Sequence, residues 1–266
     1  MQLLPPTNAS RRYTLIGVFD SGVGGLAVLR EIRAVLADAD LLYVADRARA
    51  PYGPKSLDEV EGIALEVTGW LIDRGSTCVV VACNTASAAA LESIRDRYPG
   101  IPIVGMEPAV KPAALASKSR RVAVLATAAT FQGRLFESVV SRFAAGVDVM
   151  TRACPEWVQL VELGEIAGPR AETVVAEVVA PLENLGTDVL VLACTHFSFL
   201  TPVIESITSL EVIDPAPAVA AQTKRVAPDI PGTGDLVFAA TGDVAEFTRL
   251  ADALASMTAP VIPFDP

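Results

Sequence analysis

The sequence predicts an α/β protein of two pseudo-symmetric lobes. Each lobe is a mainly parallel sheet flanked by helices, and the active site lies in the cleft between them. Three observations carry this. Short, nearly continuous apolar strands alternate with amphipathic helices, which is the pattern of parallel sheet covered on both faces. The cycle of elements restarts after the strand "IPIVGM" (101–106). Finally, "CVVVACNTASAAAL" and "VLVLACTHFSFL" share one design: a Val-rich strand, Ala-Cys, small polar residues, then helix. The chain is expected to cross near residue 107 and return near 216. That gives a first lobe of 1–107 plus 216–266 and a second of 108–215.

The elements follow in order. The N-terminus, "MQLLPPTNASRRYTLIG", has no basic start ahead of a long apolar segment and reads as a lead-in rather than a signal peptide. "TLIGVFD" (14–20) is a strand, "SGVGG" a turn, and "LAVLREIRAVLAD" a helix. "DLLYVAD" (40–46) is the next strand. The helix "LDEVEGIALEVTGWLIDRG" (57–75) stops at Gly75. "CVVVAC" (78–83) leads into the helix "TASAAALESIRDRY". In the second cycle "RVAVLAT" (121–127) is a strand and "ATFQGRLFESVVSRFA" one helix. "VDVMTRAC" (147–154) is a strand, and "EWVQLVELGEI" and "PRAETVVAEVVAPLENLG" are helices. "DVLVLAC" (188–194) precedes the short helix "SFLTPVIESIT", and "EVIDP" (211–215) is a strand. The helix "AVAAQTKRVA", a Pro/Gly-rich loop at 228–235, the strand "LVFAAT" and a helix from Asp243 close the chain.

With 266 residues, 52 % of them hydrophobic, a sizeable core is available. The 21 basic and 31 acidic residues give a net charge of −10 and no basic stripe for nucleic acid. No apolar run reaches the length of a membrane helix, so a cytoplasmic location is expected. The four cysteines, Cys78, Cys83, Cys154 and Cys194, form no CxxC pair. With a single histidine, His196, they suit neither a disulfide scaffold nor a zinc site, and no metal is expected.

Ligands of open parallel sheets sit outside the carboxyl ends of the strands, so strand ends are where a site is sought. Those ends carry Asp20-Ser21, Asp46, Cys83-Asn84-Thr85, Glu107, Thr127, Cys154, Cys194-Thr195-His196 and Asp214. Cys83 and Cys194 occupy matched positions on matched lobes and would face each other across the cleft. Two facing thiols suit one reaction: removal of a proton from a carbon on one face and delivery of a proton on the other. A helix start after each cysteine would favour its thiolate. His196 is the natural partner of Cys194, and Asp20 of Cys83. Ser21, Asn84, Thr85 and Thr195, with backbone N–H groups at the helix starts, can hold a carboxylate. Cys78, inside a strand, reads as core packing, and Cys154 before Pro155 as structural. "DSGVGG" lacks GxGxxG spacing, so it reads as a tight turn against a small anion rather than a nucleotide loop. "PYG" (51–53) is a turn whose aromatic can cap a pocket. Thr127 in "TAAT" suits an N-cap as well as a ligand contact. A pyridoxal enzyme needs a Schiff-base lysine, and none of Lys55, Lys111, Lys118 and Lys224 ends a strand as the cysteines do, so no cofactor is expected.

The segments "VFDSGVGGL", "ADRARAPYG", "VVACNTAS", "ACPEWVQLVE" and "LACTHFSFL" resemble, in order and spacing, the signature segments of glutamate racemase. The resemblance covers roughly residues 14–250. It implies a cofactor-independent racemase that interconverts L- and D-glutamate and supplies D-glutamate for peptidoglycan. By this likeness Cys83 deprotonates the D-isomer and Cys194 the L-isomer. Asp20 and His196 assist them, with Glu162 as a further auxiliary near Cys194. Asp20, Ser21, Tyr52, Gly53, Asn84, Thr85, Thr195 and His196 would line the glutamate site. The resemblance also implies a homodimer. Some such racemases are associated with inhibition of DNA gyrase, which makes gyrase a further expected partner.

The chain departs from that pattern in places. Phe197-Ser198 stand where Tyr-Pro is common, which predicts a looser turn at His196. Ala126-Thr127 replaces Gly-Thr, and Pro215 replaces a small polar residue. Two other readings stay open at this level. One is a related racemase or isomerase for another acidic substrate, of aspartate or maleate type. The other is a mainly regulatory gyrase-binding protein. Retention of both thiols and His196 favours catalysis.

Overall fold

The computed structural model describes residues 14–229 and 232–264. Residues 1–13 of the lead-in and part of the Pro/Gly-rich loop lie outside the described residues. The chain alternates strand and helix as its apolar periodicity requires. It begins β1 Leu15–Asp20, α1 Leu26–Val35, β2 Asp40–Ala45, α2 Leu57–Asp73, β3 Cys78–Val81, α3 Asn84–Arg97 and β4 Ile103–Gly105. It continues α4 Val110–Ala116, β5 Arg121–Ala126, α5 Ala128–Gln132, α6 Arg134–Phe143, β6 Asp148–Ala153, α7 Pro155–Glu162, α8 Pro169–Asn184 and β7 Val189–Ala193. The remainder is α9 Thr201–Ile207, β8 Glu211–Ile213, α10 Ala216–Val226, β9 Leu236–Ala240, α11 Val244–Ala255 and β10 Val261–Pro263.

Two sheets result. One has the order β10-β9-β2-β1-β3-β4 and the other β6-β5-β7-β8. Every recorded pairing is parallel. The block β2-β1-β3-β4 repeats as β6-β5-β7-β8, so β3 and β7 are topological equivalents. Their next residues but one and but zero, Cys83 and Cys194, leave the sheets at matching ends. β1, β2, β3 and β7 are buried along their whole length, which explains their unbroken Val, Leu and Ile runs. One apolar cluster runs through both sheets' inner faces, from Val23, Leu26 and Tyr43 to Trp157, Leu192, Phe197 and Phe247.

Several elements differ from the sequence expectation. The helix expected over "ATFQGRLFESVVSRFA" is broken at Gly133, whose ψ of 139° is extended. A Cβ there would stand 2.8 Å from Cβ of Ala88, so α3 packs directly on the break. The helix expected from Ser198 begins as a 3-10 turn, Thr195–Leu200, before α9. The strand "EVIDP" stops at Ile213, because Asp214 turns to accept the Ala216 N–H at 2.8 Å. α4 and β10 carry no distinct periodicity in so few residues and were not expected from it.

Phe197-Ser198, where a looser turn is expected, lie within the 3-10 turn Thr195–Leu200. Phe197 is fully buried and meets Trp157 edge-on, with ring centroids 5.1 Å apart. Trp157 Nε1 donates to the Val174 carbonyl at 3.3 Å. Apolar burial thus replaces the missing phenol and proline as the restraint on the turn. Trp157→Ala is expected to lower stability by about 3–5 kcal/mol. A shift of the urea midpoint measures it, and an unchanged midpoint would mean that this contact does not tie α7 to the turn.

Candidate active site

A cavity of about 610 Å³ opens at the carboxyl ends of the strands of both sheets. Cys83 lines it from the first sheet and Cys194 from the second. Ser21, Tyr52, Gly53, Asn84, Thr85, Glu162, Thr195 and His196 line it as well. Of the residues expected to act on or bind the substrate, Asp20 alone is not in the lining; of the other strand-end residues Thr127 lines it and Asp46, Glu107, Cys154 and Asp214 do not. Asp20 is fully buried at the end of β1 and works from behind the wall.

The two thiols are set differently. Cys83 is extended, with φ −140° and ψ 121°, and caps α3 by accepting the Ala86 N–H at 3.5 Å. Burial pushes its thiol well above the ordinary value, and the neighbouring Asp20 carboxylate adds to the rise. The helix N–H groups act in the opposite direction and are outweighed. Asp20 itself accepts the Gly25 N–H at 2.8 Å, and burial raises its carboxyl against the pull of His196, Gly25 and Cys83. The other oxygen of Asp20, Oδ1, is buried with no hydrogen-bond partner among the described residues. Cys194 is also extended, with φ −151° and ψ 129°, but only a 3-10 turn follows it. Its partner is His196, whose Nδ1 stands 3.7 Å from Sγ.

His196 is clamped on its other side. Its Nε2 lies 2.7 Å from Oε1 of Glu162, at the end of α7. That oxygen also accepts the Val23 N–H at 3.1 Å. Burial opposes the imidazolium, but Cys194 and Glu162 outweigh it and raise His196 well above its usual range. Burial likewise opposes the Glu162 carboxylate, yet His196, Val23 and Arg47 bring it below the usual range. The result is a Cys194–His196–Glu162 relay with a proton held on the imidazole.

The glycines of "DSGVGG" are contact positions. A Cβ on Gly22 would overlap the Glu162 carboxylate, and one on Gly24 would overlap His196 and Thr195. A Cβ on Gly25 would come 2.7 Å from Asp20 and 2.9 Å from the Tyr43 hydroxyl. The turn lacks side chains because the groups that flank the cavity pass against its backbone.

Other wall groups are poised or committed. Both amide atoms of Asn84 are buried with no hydrogen-bond partner among the described residues, as a side chain awaiting a ligand would be. Tyr52, by contrast, donates its hydroxyl to Asp46 at 2.5 Å, and Arg49 Nε holds the same carboxylate oxygen at 2.6 Å. Asp46 thus fastens the "PYG" turn and leaves the Tyr52 hydroxyl engaged. Thr127, which suited a cap as well as a ligand contact, is a cap that also lines the cavity. It accepts the Thr130 N–H at 3.4 Å, and it shares a 2.9 Å hydroxyl contact with Thr85 of the opposite sheet. Arg47 and Gln159 also line the cavity and were not singled out from sequence, because neither ends a strand. Cys78 and Cys154 stay buried, and burial pushes each thiol up to about 12. Among the described residues no cluster of three or more His, Cys, Asp or Glu is arranged to hold a metal ion. Nor is any helix long and apolar enough to cross a membrane.

Comparison with known proteins places these features in a lineage. A family model described as Asp/Glu/hydantoin racemase matches residues 16–223. A glutamate racemase from Roseiflexus is 46 % identical over 244 residues, covering 88 % of this chain and 90 % of that protein. The crystal structure of a glutamate racemase isoform from Bacillus anthracis superposes with a TM-score of 0.85 at 30 % identity, over 96 % of this chain and 98 % of that one. Escherichia coli glutamate racemase, solved with L-glutamate and the activator UDP-MurNAc-Ala, gives a TM-score of 0.84 at 27 % identity, over 95 % and 98 % of the two chains.

Two outcomes follow from the relay. The sole imidazole gives one unambiguous nitrogen-15 titration. It is expected to stay protonated well above pH 6.5, its reference value. Its contribution to stability is therefore complete below about pH 6.5 and is lost as pH rises through the higher folded value. In Glu162→Gln the titration should move down; an unmoved curve would disconnect Glu162 from His196. Separately, Gly24→Ala should displace His196 and cut turnover by about 100-fold, the scale of one acid–base contribution. Wild-type turnover in that variant would show that the close approach is dispensable.

Proposed function

This chain belongs to the Asp/Glu/hydantoin racemase family, and from that premise we propose that it interconverts L- and D-glutamate by two-thiol proton transfer at Cα, without a cofactor. One observation carries the proposal. A single cavity is lined from opposite sheets by two cysteines at equivalent strand ends, each with its own proton partner. The named relatives and the L-glutamate held by the Escherichia coli structure support glutamate as the substrate.

In the L-to-D direction the Cys194 thiolate takes the Cα proton, forming S–H as the C–H bond breaks. The electron pair stays on Cα and spreads into the α-carboxylate. Cys83, kept as a thiol by burial and by Asp20, gives its proton to the opposite face and is left as thiolate. The D-to-L direction runs the same steps in reverse. His196, charged and braced by Glu162, faces the Cys194 sulfur. Asp20 holds or returns the proton on the Cys83 side. Asn84, with its amide unpartnered, Ser21, Thr85, Thr195 and the N–H groups opening α3 are the donors for substrate carboxylates.

The same proposal covers a division of the chain into lobes at about residues 107 and 216, supported by β9 and β10 joining the first sheet. A cytoplasmic homodimer that supplies D-glutamate for peptidoglycan follows from the family resemblance, which is also the one support for gyrase as a partner.

The test is a circular dichroism assay with each glutamate enantiomer and no added cofactor. Racemisation of both is expected, with aspartate turned over far more slowly. Cys83→Ser and Cys194→Ser should each reduce racemisation by at least about 1,000-fold, within the range of acid–base catalysis. In deuterated water each variant should retain Cα exchange with only one isomer. Full racemisation by either variant would exclude the two-thiol scheme, and preference for aspartate would reassign the substrate.

A further inference from the structure

The cavity wall holds one arginine, and the two-thiol scheme makes no use of it. Arg47 follows β2 in the 3-10 turn Arg47–Arg49. That turn is pinned to the sheet. The Ala48 N–H donates to Thr241 Oγ1 at 2.8 Å, and the Thr241 hydroxyl donates to Asp46 Oδ1 at 3.1 Å. The guanidinium is largely enclosed, with 12 % of the side chain exposed. Nη2 donates to Glu246 Oε2 at 2.8 Å and Nη1 to the Asp243 carbonyl at 3.4 Å, both at the start of α11. Nε lies 3.6 Å from Glu162 Oε2, on α7. One side chain of the first sheet's turn thus reaches the helix that carries the relay of the second.

The two oxygens of Glu162 are divided in their work. Oε1 takes the Val23 N–H and His196 Nε2. Oε2 faces Arg47. A carboxylate held at one oxygen can still rotate about its last bond, since that torsion is broad. Rotation would hand His196 the other oxygen or none. A fixed cation opposite Oε2 removes this freedom, and at 3.6 Å it acts as a charge rather than a hydrogen bond. The guanidinium fork is suited to facing two carboxylates at once. It also offsets negative charge at the cavity wall, where Glu162, Glu246 and Asp243 stand together.

We propose that Arg47 is a positioning residue: from its anchor on α11 it holds Glu162, and through it His196, in the orientation that lets Cys194 exchange its proton. Its activity readout rests on the racemase reading above. The charged and titratable groups facing Glu162 are His196 and, beyond it, Cys194, then Asp20 of β1, Tyr43 of β2, and Arg47 backed by Glu246. Arg47 is the one among them that favours the Glu162 carboxylate without taking part in the relay.

Arg47→Gln and Arg47→Lys test this. In Arg47→Gln kcat should fall at least about tenfold in both directions, a fraction of an acid–base contribution, with KM little changed. Loss of the cation makes Glu162 easier to protonate, so the acid limb of the kcat profile should move to higher pH. Arg47→Lys restores a charge and should recover most of both effects. A second readout needs no turnover. The Nε2–H proton of the only histidine gives one downfield NMR signal while it is bonded to Glu162. On acidification that signal should vanish at higher pH in Arg47→Gln than in the wild type, and Arg47→Lys should restore it. Unchanged kcat, acid limb and NMR midpoint would overturn the proposal. So would a loss confined to KM, which would make Arg47 a substrate contact. If the wild type fails to racemise glutamate, the racemase reading falls, and the NMR comparison decides Arg47 by itself.

Discussion

The contact between the buried His196 and the partly buried Glu162 is the constraint around which the cleft is arranged. Two ionisable groups withdrawn from water are costly unless each is hydrogen-bonded and neutralised. Here the imidazole has Glu162 on one nitrogen and Cys194 on the other, and Glu162 has Val23 and Arg47 besides. The demand spreads outward. Gly22 and Gly24 must lack side chains so that the pair can lie on the turn after β1. Trp157 and Phe197 lock the two elements that carry the pair. Because Val23 and Arg47 belong to the first sheet's connections, the relay of the second sheet is completed only when both sheets are in place.

A repeated fold therefore carries unlike chemistry. β3 and β7 are equivalent in strand order, and their cysteines leave in nearly the same extended backbone geometry. After that the halves diverge. Cys83 caps a long helix, yet burial and Asp20 outweigh the helix and keep a proton on sulfur. Cys194 lacks the long helix and has an imidazolium instead. The two thiols thus leave equivalent strand ends into unlike surroundings.

The surrounding wall divides into fixed and available groups. Asp46 is fully buried and fastened to Tyr52, Arg49 and Thr241, which makes the "PYG" turn a rigid rim. Beside that rim, where Gly53 packs on Thr127, the Thr85–Thr127 hydroxyl contact joins α3 to the end of β5. Against this frame the Asn84 amide stands unsatisfied. A buried amide without partners is unfavourable in the empty protein, and a ligand carboxylate that meets it relieves that cost.

The sequence by itself determined the strand and helix alternation, the internal repeat and the matched positions of Cys83 and Cys194. Parallel strands buried on both faces write themselves as Val-rich runs, and ligands gather at their carboxyl ends, so Cys83, Asn84, Cys194 and His196 were legible. Glu162 was reached through resemblance, since a glutamate ending a helix is ordinary composition. Tertiary structure alone decided the rest. That Asp20 sits behind the wall, that Gly22 and Gly24 serve the other half of the molecule, and that Arg47 faces Glu162 are hidden by burial or are contacts between residues 115 to 172 positions apart in sequence. Local periodicity reports which face of an element is buried. It carries no record of which distant side chain meets that face, and that meeting sets the protonation of each group in the cleft.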